Sequence, residues 1–204
     1  MTRLADVRAA LDARPARVRD PADFEQHASV ALVLAPSVAG DDLDLLFIRR
    51  RHHPTDPWSG HTAFPGGRID GIDADPRAAA ERETLEEVGV DLTTADLLGR
   101  LDDLASKSAS LVISCFAYGV ESQRPLEPNY EVDEARFMSL AEVESPTHHA
   151  VSGFEYLGQT LELPAIQVFE PPAIPLWGLT YRFLELFMCA IERPIPQMPW
   201  DDAL

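Results

Sequence analysis

The sequence predicts an α/β fold, with a mixed β-sheet and helices packed on it. Three observations lead there. Apolar runs of strand length lie before and after one helix with clear boundaries, in the order strands, helix, strands, helix. The chain has 204 residues, 46% hydrophobic and 25% charged, a composition able to bury a core. No internal repeat or low-complexity block interrupts it.

The elements follow in order. Leu4, Val7 and Leu11 recur at helical spacing and predict a short helix ending near Pro15. Residues 29–36 (SVALVLAP) and 43–49 (LDLLFIR) read as buried strands, with Gly40-Asp41-Asp42 as the turn of a hairpin. Residues 51–69 are rich in Pro, Gly, His and Trp and read as a loop with a short strand at 61–64. Residues 76–88 are a helix: Asp75 suits its N-cap, Pro76 its first turn, and Gly89 its end. Residues 97–104 and 111–120 are strand-like, then comes a Pro-containing loop over 124–130 and a strand over 134–140. Short strands are expected around 154–157 and 160–163, and residues 176–191 form an apolar helix. The organisation expected is an N-terminal helical extension (1–26), one domain (27–193) and a loosely ordered tail (194–204) holding Pro194, Pro196 and Pro199.

Lys and Arg number 17 against 34 Asp and Glu, a net charge of −17. That balance argues against nucleic acid or an acidic membrane surface as partner. Cys115 and Cys189 both sit in apolar runs, and reduced, buried thiols are expected of them, with no disulfide framework and no zinc site. The first residues show no apolar leader and no stretch is long enough to span a membrane, so a cytoplasmic protein is expected.

The chemistry concentrates in residues 64–90, FPGGRIDGIDADPRAAAERETLEEVGV. Glu83, Glu86 and Glu87 stand at i, i+3 and i+4 on one helix face, where like charges oppose one another. A divalent cation resolves this, since hard cations prefer carboxylate oxygen. Arg82 and Arg77 are placed to orient or partly neutralise the cluster. Taken without the glycines in front of it, the helix also reads as a solvated acidic face. A calcium loop at Asp70, Asp73 and Asp75 lacks the required alternation of ligands.

This segment resembles the signature of the Nudix hydrolases, G-x5-E-x7-R-E-U-x-E-E-x-G-U, with U aliphatic. Gly67 matches the first glycine, and Arg82, Glu83, Glu86, Glu87, Gly89 and Val90 match the second half residue for residue. The departures are Asp73 in place of the first glutamate, eight residues (74–81) between it and Arg82, and Thr84 at an aliphatic position. The resemblance implies a Nudix-type α/β/α sandwich and metal-dependent hydrolysis of a nucleoside diphosphate linked to another moiety. It makes Glu83, Glu86 and Glu87 ligands of Mg2+ or Mn2+, the Gly67 carbonyl a further ligand, and Arg82 their orienter. The general base falls to Glu131, Glu134 or Glu87, with Glu131 and Glu134 equally readable as surface acids.

Two features are similar to the coenzyme A pyrophosphatase branch of that family: G-x-x-x-F-P-G-G at residues 60–67, and LWGLTYR at 176–182. Against them, Asp56 stands where that branch has an arginine. The substrate expected is coenzyme A, cleaved to 3′,5′-ADP and phosphopantetheine, with NADH, ADP-ribose and nucleoside triphosphates as alternatives. A non-catalytic nucleotide-binding or regulatory module is the alternative of another class. Arg49, Arg51, Arg68, His61 and Phe64 are the expected substrate contacts; Trp58 reads equally as pocket lining or packing, and Lys107, in SKSAS between two strands, as a phosphate contact or simple turn chemistry. For Arg49–Arg51, a solvated strand end is the competing reading. The partner is thus a small phosphorylated molecule, and the apolar C-terminal helix serves either the core or a homodimer.

Overall fold

The computed structural model describes residues 1–53, 58–106, 110–156 and 158–198. Asp56, Lys107, Leu157 and Pro199 lie outside the described residues. The longest strand, β1 (Gln26–Pro36), organises the rest. On one side it runs parallel to β7 (Leu111–Gly119), with Gln26 opposite Leu111 and Leu34 opposite Gly119. On the other side it changes partner along its length. Ala28, Ser29 and Val30 pair antiparallel with β4 (Gly66–Arg68), whereas Leu34, Ala35 and Pro36 pair antiparallel with β2 (Leu43–Arg50). Next to β2 lie β3 (Thr62–Ala63) and β8 (Val132–Ser139), and next to β7 lie β5 (Asp96–Arg100) and β6 (Leu104–Ser106), all antiparallel. The sheet is therefore mixed.

Side-chain alternation divides the core in two. Ala31, Val33, Leu46 and Ile48 face α2 (Pro76–Val88) and pack with Ala80 and Val88. Leu32, Leu34, Leu45 and Phe47 face the other way, onto α1 (Leu4–Asp12) and α4 (Gly178–Ala190). The result is the α/β/α sandwich. A second sheet is added beside it by a hairpin of β9 (His149–Tyr156) and β10 (Gln159–Ile166), extended by β11 (Leu176–Trp177).

The helix expected at 76–88 forms with the caps expected. Asp75 accepts a hydrogen bond from the Ala78 amide at 2.8 Å, and Gly89 ends the helix at φ 73°. Thr84, at an aliphatic position of the signature, is fully buried, and its hydroxyl donates to the Ala80 carbonyl at 2.7 Å. Several expectations need correcting. Within the stretch 51–69, expected as loop around a short strand, Gly66–Arg68 form β4, whose two glycines carry no side-chain pattern. The run 97–104 breaks into β5 and β6, the strand at 134–140 ends at Ser139, and α3 (Leu140–Glu144) follows. Ser139 caps α3 by accepting from the Glu142 amide, and Glu142 reaches back to the Ser139 amide, a reciprocal pair that stops the strand. Cys115 is buried as expected, but Cys189 is exposed on α4.

The N-terminal helix is tied into the sandwich. Val7 is fully buried and Leu11 nearly so, and the Leu11 side chain lies where a Cβ on Gly99 would be, 2.7 Å away. In the tail, Ile195 belongs to the core on the same face. The apolar side of α4 (Tyr181, Phe183, Leu184, Phe187, Met188) is buried within the chain.

His149 shows how a polar group is accommodated there. Its Nε2 lies 2.7 Å from the Val143 carbonyl, which can only accept, so Nδ1 is the bare nitrogen and accepts from the Tyr181 hydroxyl at 3.0 Å. Burial holds the imidazole below its ordinary value of 6.5, with the Val143 carbonyl opposing that and the charge of His148 adding to it. The unfolded chain then binds the proton more readily, so stability falls as pH drops below about 6.5.

Two measurements check this packing. Leu11→Ala should cost about 2–4 kcal/mol in urea unfolding, and a cost near zero would show α1 to be dispensable to the core. His149→Gln should flatten the loss of stability between about pH 7 and 5 relative to the parent.

Candidate functional site

The site forms where α2 crosses β4. Gly66 comes so close to β1 that a Cβ there would lie 2.3 Å from the Ser29 carbonyl oxygen. At Gly67 the same atom would lie 2.5 Å from the Glu83 carboxyl. Alanines at 79 and 80, both fully buried, let the helix approach. Two acidic side chains of α2 thereby reach strand backbone.

The three glutamates are not equivalent. Glu87 is buried (1% exposed), Glu83 is 16% exposed at its side chain and Glu86 is 55% exposed. Glu87 Oε2 accepts the Gly66 amide at 2.8 Å, and its Oε1 lies 3.7 Å from Arg50 Nη1. Burial pushes its carboxyl up to about 8, although the Gly66 amide and Arg50 pull the other way. Glu83 is also raised, first by burial, against which Arg82 acts, and further by the charges of Glu86 and Glu131.

Arg82 is the hub. Its Nε and Nη2 each lie 2.9 Å from an oxygen of Asp73, a two-pronged pair. Its Nη1 donates to Glu83 at 2.9 Å and to Glu86 at 3.3 Å, and Nη2 also reaches the Arg68 carbonyl at 3.3 Å. These contacts lift the guanidinium's pKa above its usual value and hold Asp73 below the usual carboxylate range. Asp73, a departure from the signature in type and spacing, thus fixes the residue that orients the glutamates. Arg77 does not orient them: it pairs with Glu81 at 2.7 Å and with the Tyr118 hydroxyl at 3.2 Å.

Glu131 lies at the end of the loop that crosses the C-terminal part of α2, where the Asn129 amide bonds the Glu87 carbonyl at 3.0 Å. Its charge acts on both Glu83 and Glu87. Glu134 sits on β8 opposite Arg49, and the two side chains pair at 3.4 Å.

The expected substrate contacts are scattered. Strand alternation puts Arg49 on the sheet face away from α2, with Phe47. Arg51 pairs with Asp133 at 2.8 Å. Arg68 is exposed and donates to Gln26 at 3.2 Å. Phe64 is 1% exposed and stacks on Phe47 at 5.4 Å, so it belongs to the core. His61 accepts from the Trp177 indole at 3.1 Å, within a ring cluster that includes Trp58. On β2 the basic residue that reaches the buried Glu87 is Arg50, the middle of the run 49–51, whereas its neighbours Arg49 and Arg51 are the ones expected to touch substrate. Counting alternate residues down β2 from Leu46 and Ile48, which face α2, would have found it.

The donors suit a hard divalent cation. All are oxygens, and Gly67 leaves room at Glu83 where a side chain would collide. Among the described residues, no three carboxylate, imidazole or thiolate groups already converge as a ligand set. Glu86 is turned toward Arg82 and Glu87 toward Arg50.

The NUDIX domain model matches residues 26–156. The chain belongs to the Nudix family. Among curated Nudix proteins, it is 31% identical over 150 residues to the mouse (Mus musculus) mitochondrial coenzyme A diphosphatase NUDT8, an alignment covering 70% of this chain and 68% of that one. It is 27% identical over 163 residues to a probable nudix hydrolase, C6G9.05, of Schizosaccharomyces pombe, covering 79% of this chain and 55% of the relative. With another S. pombe protein the match covers only 30% of the relative's length, so the chain spans about half or less of some curated relatives. Among solved structures, a MutT/nudix family protein from Enterococcus faecalis superposes with a TM-score of 0.55 at 16% identity, over 94% of this chain and 70% of that one. At that identity the likeness concerns the Nudix fold alone.

The two glycines of this Nudix site should fail differently. Gly66→Ala collides with backbone and should cost more than about 2 kcal/mol in chemical unfolding. Gly67→Ala meets only the end of a side chain, and should leave the melting temperature nearly unchanged while weakening Mn2+ binding about tenfold in calorimetry. Equal effects of the two on stability would contradict this geometry.

Proposed function

We propose that the protein hydrolyses the pyrophosphate bond of a nucleoside diphosphate joined to another moiety, with Mg2+ or Mn2+, and that coenzyme A is its substrate. The observation that carries the hydrolytic reading is the seating of Glu83 against Gly67, beside the buried Glu87 and under the fork of Arg82. Support for coenzyme A comes from the mouse relative's activity and from the patterns at 60–67 and 176–182.

Glu83, Glu86, Glu87 and the Gly67 carbonyl would hold the cation. Bound there, it supplies positive charge that polarises the pyrophosphate and offsets the charge developing in the transition state. Arg82, anchored by Asp73, keeps Glu83 and Glu86 from drifting apart under their mutual repulsion. Glu131, whose charge acts on Glu83 and Glu87, takes the proton of the attacking water.

Purified protein should be offered coenzyme A, NADH, ADP-ribose and nucleoside triphosphates in turn with Mg2+ or Mn2+, and the products separated by chromatography. Release of 3′,5′-ADP and phosphopantetheine is expected. Faster cleavage of another compound would reassign the substrate, and no cleavage of any would favour a binding module. Glu86→Gln should lower turnover by about 10³-fold or more with an unchanged melting curve, and a folded variant with parental turnover would overturn the assignment.

A further inference from the structure

Arg50 occupies a place that neither the signature nor the family match explains. β2 carries LDLLFIRR; Leu46 and Ile48 face α2, and Arg50 continues that face past a register shift between Arg49 and Arg50. Its backbone is fixed there, because the amide donates to the His61 carbonyl at 3.0 Å. The guanidinium is 28% exposed, while the carboxylate it approaches, Glu87, is 1% exposed.

Burying Glu87 as an anion without a neighbouring cation is costly. In this arrangement the cation is Arg50 on one oxygen, and the Gly66 amide serves the other. The amide belongs to a paired strand and cannot leave. A guanidinium on a flexible, partly exposed stem can. Holding a cation through Oε1 of Glu87 therefore requires Arg50 to move, since two positive charges cannot share that oxygen closely. Planar guanidinium donors fit phosphate oxygens well, and Glu87 lies in the cluster where the pyrophosphate is placed by the function proposed above.

We propose that Arg50 is the resident counter-cation of Glu87, that it yields this carboxylate to the divalent cation, and that it then binds the phosphate oxygens of the substrate. The inference rests on the metal-dependent reading of the site. Its consequence is coupling: the cation alone binds against a competitor, whereas the cation with a diphosphate binds with that competitor re-employed. Each ligand then tightens the other by the same factor.

The test is calorimetric titration of Mn2+ into the parent, Arg50→Gln and Arg50→Lys, each with and without adenosine 5′-(α,β-methylene)diphosphate, together with KM for the substrate chosen by the panel above. Without the diphosphate, Arg50→Gln should bind Mn2+ more tightly than the parent, about threefold or more, because the competitor is gone. The tightening of Mn2+ by the diphosphate should shrink in Arg50→Gln, and KM should rise about tenfold. Arg50→Lys keeps the charge but not the fork. Its Mn2+ affinity should stay within about twofold of the parent while KM rises, and it carries the test alone if Arg50→Gln does not fold. Unchanged or weaker Mn2+ binding in Arg50→Gln, or parental KM in a folded Arg50→Lys, overturns the inference. A parent that binds no Mn2+ overturns the metal reading beneath it, a result distinguishable from either.

Discussion

With no side chain at Gly66 or Gly67, β4 lets α2 come within hydrogen-bonding distance of strand backbone, and the site depends on that approach. Glu87 can be buried only because an amide of β4 meets it at 2.8 Å, and Glu83 can lie over the strand only because nothing projects there. The partner change of β1 belongs to the same constraint. Its first half is paired to β4 and its second half to β2, so the two strands diverge beside it and α2 lies across the place where they part. Sheet topology and acidic cluster are thus one arrangement.

Charge is organised around this contact by two arginines with different duties. Arg82 is locked by Asp73 from below and distributes one guanidinium over two glutamates, which keeps like charges together on one face. Arg50 approaches from the neighbouring strand and meets the innermost acid. A net charge of −17 is therefore compatible with an anionic substrate, because the acids at the site are arranged around cations. The remaining acidity lies elsewhere and repels polyanions in general.

Sequence made the helix legible because its caps and its charge spacing are local: Asp75, Gly89 and the i, i+3, i+4 glutamates need no knowledge of the rest of the chain. The sandwich was legible from the apolar runs for the same reason. What could not be read was whatever depends on partners distant in sequence. β4 is three residues long and gains its identity from β1. Phe64 sits in a motif that suggests ligand contact, yet in the link between β3 and β4 it is buried and packs on Phe47 of the distant strand β2. The basic run 49–51 announced itself by composition, but only the alternation of β2, measured against α2, separates Arg50 from Arg49. Arg77 stands five residues before Arg82, which turns it toward Tyr118 and away from the glutamates.

The family match ends at residue 156, but the hydrophobic core does not. One face of the main sheet is closed by α2 inside the matched segment. The other is closed by α1 and α4, which lie outside it, with Val7, Leu11, Tyr181, Phe183 and Phe187 as the covering residues. A fragment trimmed to the matched limits would keep all the acids of the site and leave Leu32, Leu34, Leu45 and Phe47 facing water. The recognisable part of the chain and the part able to stand alone are different objects, and the chemistry is housed in the first only by courtesy of the second.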